Sequence, residues 1–143
     1  MIRPELNEFV TQMNAFSIAM GLPPSIAKVL THLTVCQPSE QTAAEISTEL
    51  GISAGSISEA LGMLRHVGLI ERKKKAGNRR FYYEILPDGW KQATLRRFRT
   101  LDEGIKIADT GLKVEPQNQR LQAMHEMYSL FSREFADFEK RFK

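Results

Sequence analysis

A chain of 143 residues, 42% hydrophobic and 26% charged, is long enough for one domain, or one small domain with appended helices, and can bury a core. Nothing in it approaches the ~18–20 apolar residues that cross a bilayer, and its start, MIRPELNEF, lacks the apolar stretch of a secretion signal. The single cysteine, Cys36, excludes an internal disulfide framework and suits a reducing compartment, so a cytoplasmic protein is expected.

The net charge of +3 is unevenly spread. Residues 65–99 carry eleven Lys/Arg against three Asp/Glu, a balance of +8, and the remaining segments sum to −5. A polyanion met through one surface accounts for that asymmetry, although a solvated helix face can be locally basic as well.

In chain order, residues 5–20 place Leu6, Phe9, Val10, Met13, Phe16 and Met20 at helical spacing. Gly21-Leu22-Pro23-Pro24 stops that helix, and a second runs from Ser25 to about Cys36 before Gln37-Pro38-Ser39. His32 and Cys36 lie four apart and could share a face. They read either as an imidazole-activated thiolate or half of a metal site, hence a sensor, or as a buried small cysteine beside a core histidine. No further Cys/His cluster accompanies them, which favours the second reading, and no metal or cofactor is expected.

Thr42-Ala43-Ala44-Glu45 has the form of a capping box, which opens a helix over 42–50 with Ile46 and Leu50 on one face. Gly51 ends it, and Ser53 is placed to cap a second helix over 54–66 whose inner face carries Ile57, Ala60, Leu61 and Leu64. Two short helices joined at a glycine make a helix-turn-helix unit. Beyond Val67-Gly68 the period changes. Residues 69–75 and 79–86 read as a hairpin around Ala76-Gly77-Asn78, with Phe81, Tyr83 and Ile85 alternating against Arg80, Tyr82 and Glu84.

Capped helix, turn, second helix and basic hairpin form the plan of a winged helix-turn-helix. The side of helix 54–66 opposite the core carries Gly55, Glu59, Gly62 and His66, flanked by Ser56 and Ser58. Small residues there let the backbone approach the floor of a major groove about 12 Å wide. The expected DNA contacts are Thr42, Ser53, Gly55, Ser56, Ser58, Glu59 and Arg65, with Lys73, Lys75, Asn78, Arg79 and Arg80 from the wing. A solvated edge strand guarded by lysines is the blander account of the wing.

A long helix is expected over 89–110, lined by Leu95, Phe98, Leu101, Ile105 and Ala108, with Leu112 just beyond and a break marked by Gly111 and Pro116. The final helix repeats Leu121, Met124, Tyr128, Phe131, Phe135, Phe138 and Phe142 by threes and fours, a heptad seam. Together with Leu6, Phe9, Met13 and Phe16 this seam is expected to form a two-fold dimer; packing on the 89–110 helix of the same chain is the alternative. The expected fold is therefore mainly α with a small β-hairpin wing, divided into a dimerisation helix (1–20), a winged helix-turn-helix (21–88) and a helical dimerisation region (89–143). Trp90 and the Phe/Met-rich helices could line an effector crevice, but read more simply as core.

The stretch TAAEISTELGISAGSISEALGMLRHVGLIERKKKAGNRRFYYEI resembles the DNA-binding domain of MarR-type transcriptional regulators. GLPPSIAKVLTHLTVCQPSEQTAAEI and PDGW resemble in particular the branch named for the glycine betaine synthesis regulator (GbsR-like). The resemblance covers residues 20–100 and implies a homodimeric repressor with interlocking terminal helices, double-stranded DNA as partner, and a crevice for a small-molecule effector. Two positions depart from the pattern. Many such wings steady their tip with Asp-x-Arg, whereas KKKAGNRR has no Asp, and Ser47 stands where many have Ala. The alternative function is a winged-helix module for protein or RNA contacts without operator specificity. No nucleophile elbow, phosphate-cradling glycine loop or metal-spaced His/Asp set points to an enzyme.

Overall fold

The computed structural model describes residues 3–141, so Phe142 of the expected seam lies outside the described residues. The chain divides into two compact units, residues 1–90 and 91–143.

In the first unit a 3-10 turn, Pro4–Leu6, leads into α1 (Asn7–Ala19). Gly21 adopts φ 101°, which lets the amide of Leu22 close back on the carbonyl of Ser17 at 3.0 Å. Pro24 then occupies the first position of α2 (Pro24–Val35), where its missing N–H costs nothing. α2 is the central rod of this unit and packs against α1, α3 and α4. Its Ile26, Ala27, Val29, Leu30 and Leu33 are all buried.

α3 (Ala43–Leu50) opens on the expected capping box. The hydroxyl of Thr42 accepts from the Glu45 amide at 3.1 Å, and the Glu45 carboxylate accepts from the Thr42 amide at 3.3 Å. A cap of this kind contributes about 1 kcal/mol. Gly51 ends α3 in the left-handed conformation, and Ser53 caps α4 (Ala54–His66) at the expected boundaries. Ser47 does more than fit a small space: its hydroxyl donates to the carbonyl of Ile52 at 2.6 Å and ties the turn between the helices. Ile46, Ile57, Leu61 and Leu64 are fully buried and fix the helix pair.

β2 (Ile70–Lys74) and β3 (Phe81–Ile85) pair antiparallel from Ile70↔Ile85 to Lys74↔Phe81. The expected two-stranded wing is extended by a third strand, β1 (Gln41–Thr42), which pairs with β3 in the order β1-β3-β2. Two residues that also begin a capped helix show no alternation, which is why the hairpin alone was expected. At the foot of the sheet Gly89 lies so close to the Leu69 carbonyl that no Cβ would fit. The described residues contain no helix long and apolar enough to cross a membrane.

α5 runs Gly89–Val114, and the division between the two units falls inside it. It does not stop near Thr110 as expected, because Gly111 lies within the helix. A Cβ there would meet the Leu121 side chain at 2.8 Å, so the glycine serves helix packing rather than termination. The chain turns at residues 115–118, where the Asn118 side chain caps α6 (Gln119–Lys140). α5 and α6 form an antiparallel pair. Leu121 meets Gly111, Tyr128 lies over Gly104, and Phe135 stacks on Phe98 with ring centroids 4.5 Å apart. Asp109–His125 (2.9 Å), Ser132–Asp102 (2.6 Å) and Arg99–Glu139 (3.1 Å) stitch the pair along its length.

Candidate nucleic-acid interface

α4 turns its core side to α2 and α3 and leaves Gly55, Ser58, Glu59, Gly62, Met63, Arg65 and His66 exposed. A Cβ at Gly55 or Gly62 would meet nothing, so the outer face of α4 exposes backbone at these two positions, on either side of Ser58 and Glu59. The side chains of Ser58, Glu59 and Arg65 make no hydrogen bond or ion pair among the described residues, which leaves them available for contact. The other expected contact hydroxyls have work within the fold. Thr42 is buried in its capping box, and Ser53 Oγ accepts from the Ser56 amide and donates to Ser56 Oγ at 3.0 Å.

The wing sorts its cations by face. On one face the Arg72 guanidinium lies 4.0 Å and the Lys74 ammonium 4.8 Å from the centre of the Phe81 ring. On the other, Lys75 lies 4.3 Å from the Tyr82 ring, while Lys73 reaches Glu84 at 2.5 Å and Glu40 at 3.4 Å. The Glu84 hydrogen bond, then the nearby charge of Glu40, raises the Lys73 ammonium above its ordinary pKa. Glu40 carried no recognisable sequence pattern. Glu84 did: once the turn is placed, it lies diagonally across the hairpin from Lys73.

At the tip, the Asn78 amide donates to the Lys75 carbonyl at 3.1 Å, and Gly77 sits at φ 75°. Asn78 Oδ1 accepts from the Arg80 amide at 2.9 Å, and its Nδ2 donates to the Tyr82 hydroxyl at 2.9 Å. Asn78 stands two residues before Arg80, the spacing of Asp-x-Arg, and steadies the tip with an amide in place of a carboxylate. The side chains of Arg79 and Arg80 are exposed and form no ion pair among the described residues. The tip therefore offers two exposed arginines on a hydrogen-bonded turn.

His32 and Cys36 are not brought together. His32 Nε2 donates to Gln41 Oε1 at 2.7 Å and joins α2 to β1, while Cys36 Sγ faces the carbonyls of Leu33 and Ser39. Burial pushes the Cys36 thiol above its ordinary 9.0, the opposite of what an activated thiolate needs. Because the folded value lies above the unfolded one, stability from this group is intact below pH 9.0 and is lost as pH rises through the folded value. At pH 8 a disulfide reagent should label native Cys36 at least about 100-fold more slowly than the urea-unfolded chain. Fast stoichiometric labelling of the native protein would restore the sensor reading. No cluster of three or more metal-ligating side chains occurs among the described residues.

Of the apolar positions expected at a dimer interface, Leu121, Tyr128 and Phe135 face α5 of the same chain. Phe131 is 49% exposed on α6, and Phe16 is 59% exposed on α1. Leu6, Phe9, Met13 and Met124 are half-buried, and Phe138 is exposed beside Phe135 at 6.2 Å.

No family model matches the chain. It is 34% identical over 131 residues to the HTH-type transcriptional regulator MmpR5 of Mycobacterium tuberculosis, covering 90% of this chain and 79% of that protein. A crystal structure of a transcriptional regulator superposes with a TM-score of 0.83 at 30% identity, over 97% of this chain and 98% of the other. A MarR family transcription regulator aligns at 25% identity over 96% and 87% of the two chains, with a TM-score of 0.47. These relatives are transcription regulators, not enzymes. With a capped helix pair, a basic three-stranded wing and the first two of these relatives, the chain belongs to the HTH-type transcriptional regulators.

Proposed function

We propose that the protein is a sequence-specific repressor of the glycine betaine synthesis regulator-like branch. In this reading it acts in the cytoplasm as a homodimer on pseudo-palindromic operators and responds to a small-molecule effector. The observation that carries the DNA contact is the pairing of an open helix face (Gly55 and Gly62 on either side of Ser58 and Glu59 on α4) with the Arg79 and Arg80 side chains of a hydrogen-bonded tip, which form no ion pair among the described residues. Gly55, Ser58 and Glu59 then supply sequence choice in the major groove. Arg65, Arg79 and Arg80 supply phosphate or minor-groove affinity. The segments 1–20 and 89–143 supply the dimer, supported by exposed Phe16, Ile107, Met127, Leu130 and Phe131. Two copies would read half-sites about 34–36 Å apart.

Fluorescence anisotropy against the promoter fragment of the protein's own operon tests the reading. Binding at least about 1,000-fold tighter than to a scrambled duplex is expected. Equal affinity for both duplexes favours an RNA- or protein-interaction module, and no affinity for nucleic acid favours an adaptor.

A further inference from the structure

We propose that Lys73, although it lies in the most basic stretch of the wing, is not a phosphate contact but a positioning residue, clamped by Glu84 and Glu40. The inference rests on the DNA-binding reading above and divides the wing cations into a working set and a structural one. Lys73 is opposite Tyr82 in the hairpin register, so it shares a face with Glu84 rather than with Arg72 and Lys74. Its ammonium sits between two carboxylates, at 2.5 and 3.4 Å. Glu40 Oε2 is itself shielded from solvent and has no hydrogen bond, and the ammoniums of Lys73 and of Lys75, at 3.9 Å, are its counter-charges.

Swinging Lys73 out to a phosphate would leave that shielded carboxylate charge short of its nearer partner. A phosphate approaching the same face would in turn meet two carboxylates. Connectivity gives the clamp its purpose. Glu40 immediately precedes β1, and Thr42 at the end of β1 caps α3. Lys73 thus ties the wing to the start of the helix-turn-helix and sets where the tip arginines stand relative to α4.

The test is the salt dependence of anisotropy for the operator duplex and a scrambled duplex, with Lys73→Gln, Lys73→Arg and Glu84→Gln. Lys73→Gln should leave the salt slope unchanged and lower operator affinity about two- to fivefold, the scale of a part-exposed ion pair, without affecting the scrambled duplex. Lys73→Arg should restore operator affinity. Glu84→Gln, which removes the nearer of the two carboxylates from the ammonium, should steepen the slope by up to about 0.9. If Lys73→Gln flattens the slope by about 0.9 and weakens both duplexes alike, Lys73 is a phosphate contact and the proposal is overturned. The Arg79→Ala/Arg80→Ala protein is the reference: if it keeps the wild-type slope, the failure belongs to the DNA-binding reading itself. One arm needs no DNA. NMR titration of the Lys73 ε-amine should find it above the ordinary lysine value in the wild type and lowered in Glu84→Gln; an ordinary value in the wild type breaks the clamp.

Discussion

Replacing Arg79 and Arg80 together by alanine is expected to lower operator affinity roughly 10- to 100-fold at moderate salt while leaving the fold intact. The size follows from two solvent-exposed contacts at about 0.7–1.4 kcal/mol each, within the net range of a typical hydrogen bond. The selectivity follows from the local geometry. Asn78 holds the tip through the backbone amide of Arg80, not its side chain, and the turn closes through Asn78 and Gly77. Truncating both side chains therefore removes no internal bond, and the thermal midpoint should move little, as for other surface positions. If both arginines meet phosphates, the slope of log affinity against log salt should fall by about 1.8, equally for operator and scrambled duplexes. If either enters a minor groove, discrimination at the matching base pairs should fall as well. Anisotropy across a salt series, beside a circular-dichroism melt, reads both. Unchanged affinity in a normally folded variant would remove the wing from the interface.

What the sequence revealed depends on how locally each feature is encoded. The helix pair was legible because its boundaries are set by residues within one turn of themselves: Thr42 with Glu45, Gly51, and Ser53. α4 matches the expected 54–66 for that reason. β1 was not legible, since its two residues are strand only by virtue of pairing with β3, some forty positions away. The end of α5 was misplaced because glycine has two uses. At Gly51 it supplies a left-handed turn, and at Gly111 it makes room for Leu121 inside a helix; composition alone does not separate them. Within the basic hairpin, charge density was plain, but the division of labour was not. Which lysine meets Glu40 depends on a loop whose position only the folded sheet defines. The missing Asp of the wing pattern had its answer in the sequence, as Asn78 two residues before Arg80, but only the hydrogen bonds of that side chain show the substitution to be functional in shape.

The heptad on α6 posed the hardest choice, between one chain and two, and the structure separates its two tracks. Leu121, Tyr128 and Phe135, seven apart, close on Gly111, Gly104 and Phe98 of α5. Phe131 belongs to the other track and is 49% exposed, with Met127 and Leu130 exposed beside it at 49% and 45%. Phe131→Asp should consequently leave the α5–α6 pair as stable as before, because the new carboxylate reaches water in the single chain. In the proposed homodimer the same substitution occurs twice about the two-fold axis and buries two charges in an apolar interface. The dimer dissociation constant should then rise at least about 100-fold, a cost in the range expected for a lost central anchor. Operator affinity should fall with it, since a monomer holds one half-site. Phe135→Ala gives the opposite pattern: loss of the stack on Phe98 should destabilise the pair by about 3 kcal/mol before association is considered. Sedimentation velocity at micromolar protein, alongside thermal melts, tells the two apart. A Phe131→Asp protein that sediments as an unaltered dimer would place the two-fold contact elsewhere and leave the exposed track of α6 without its assigned partner.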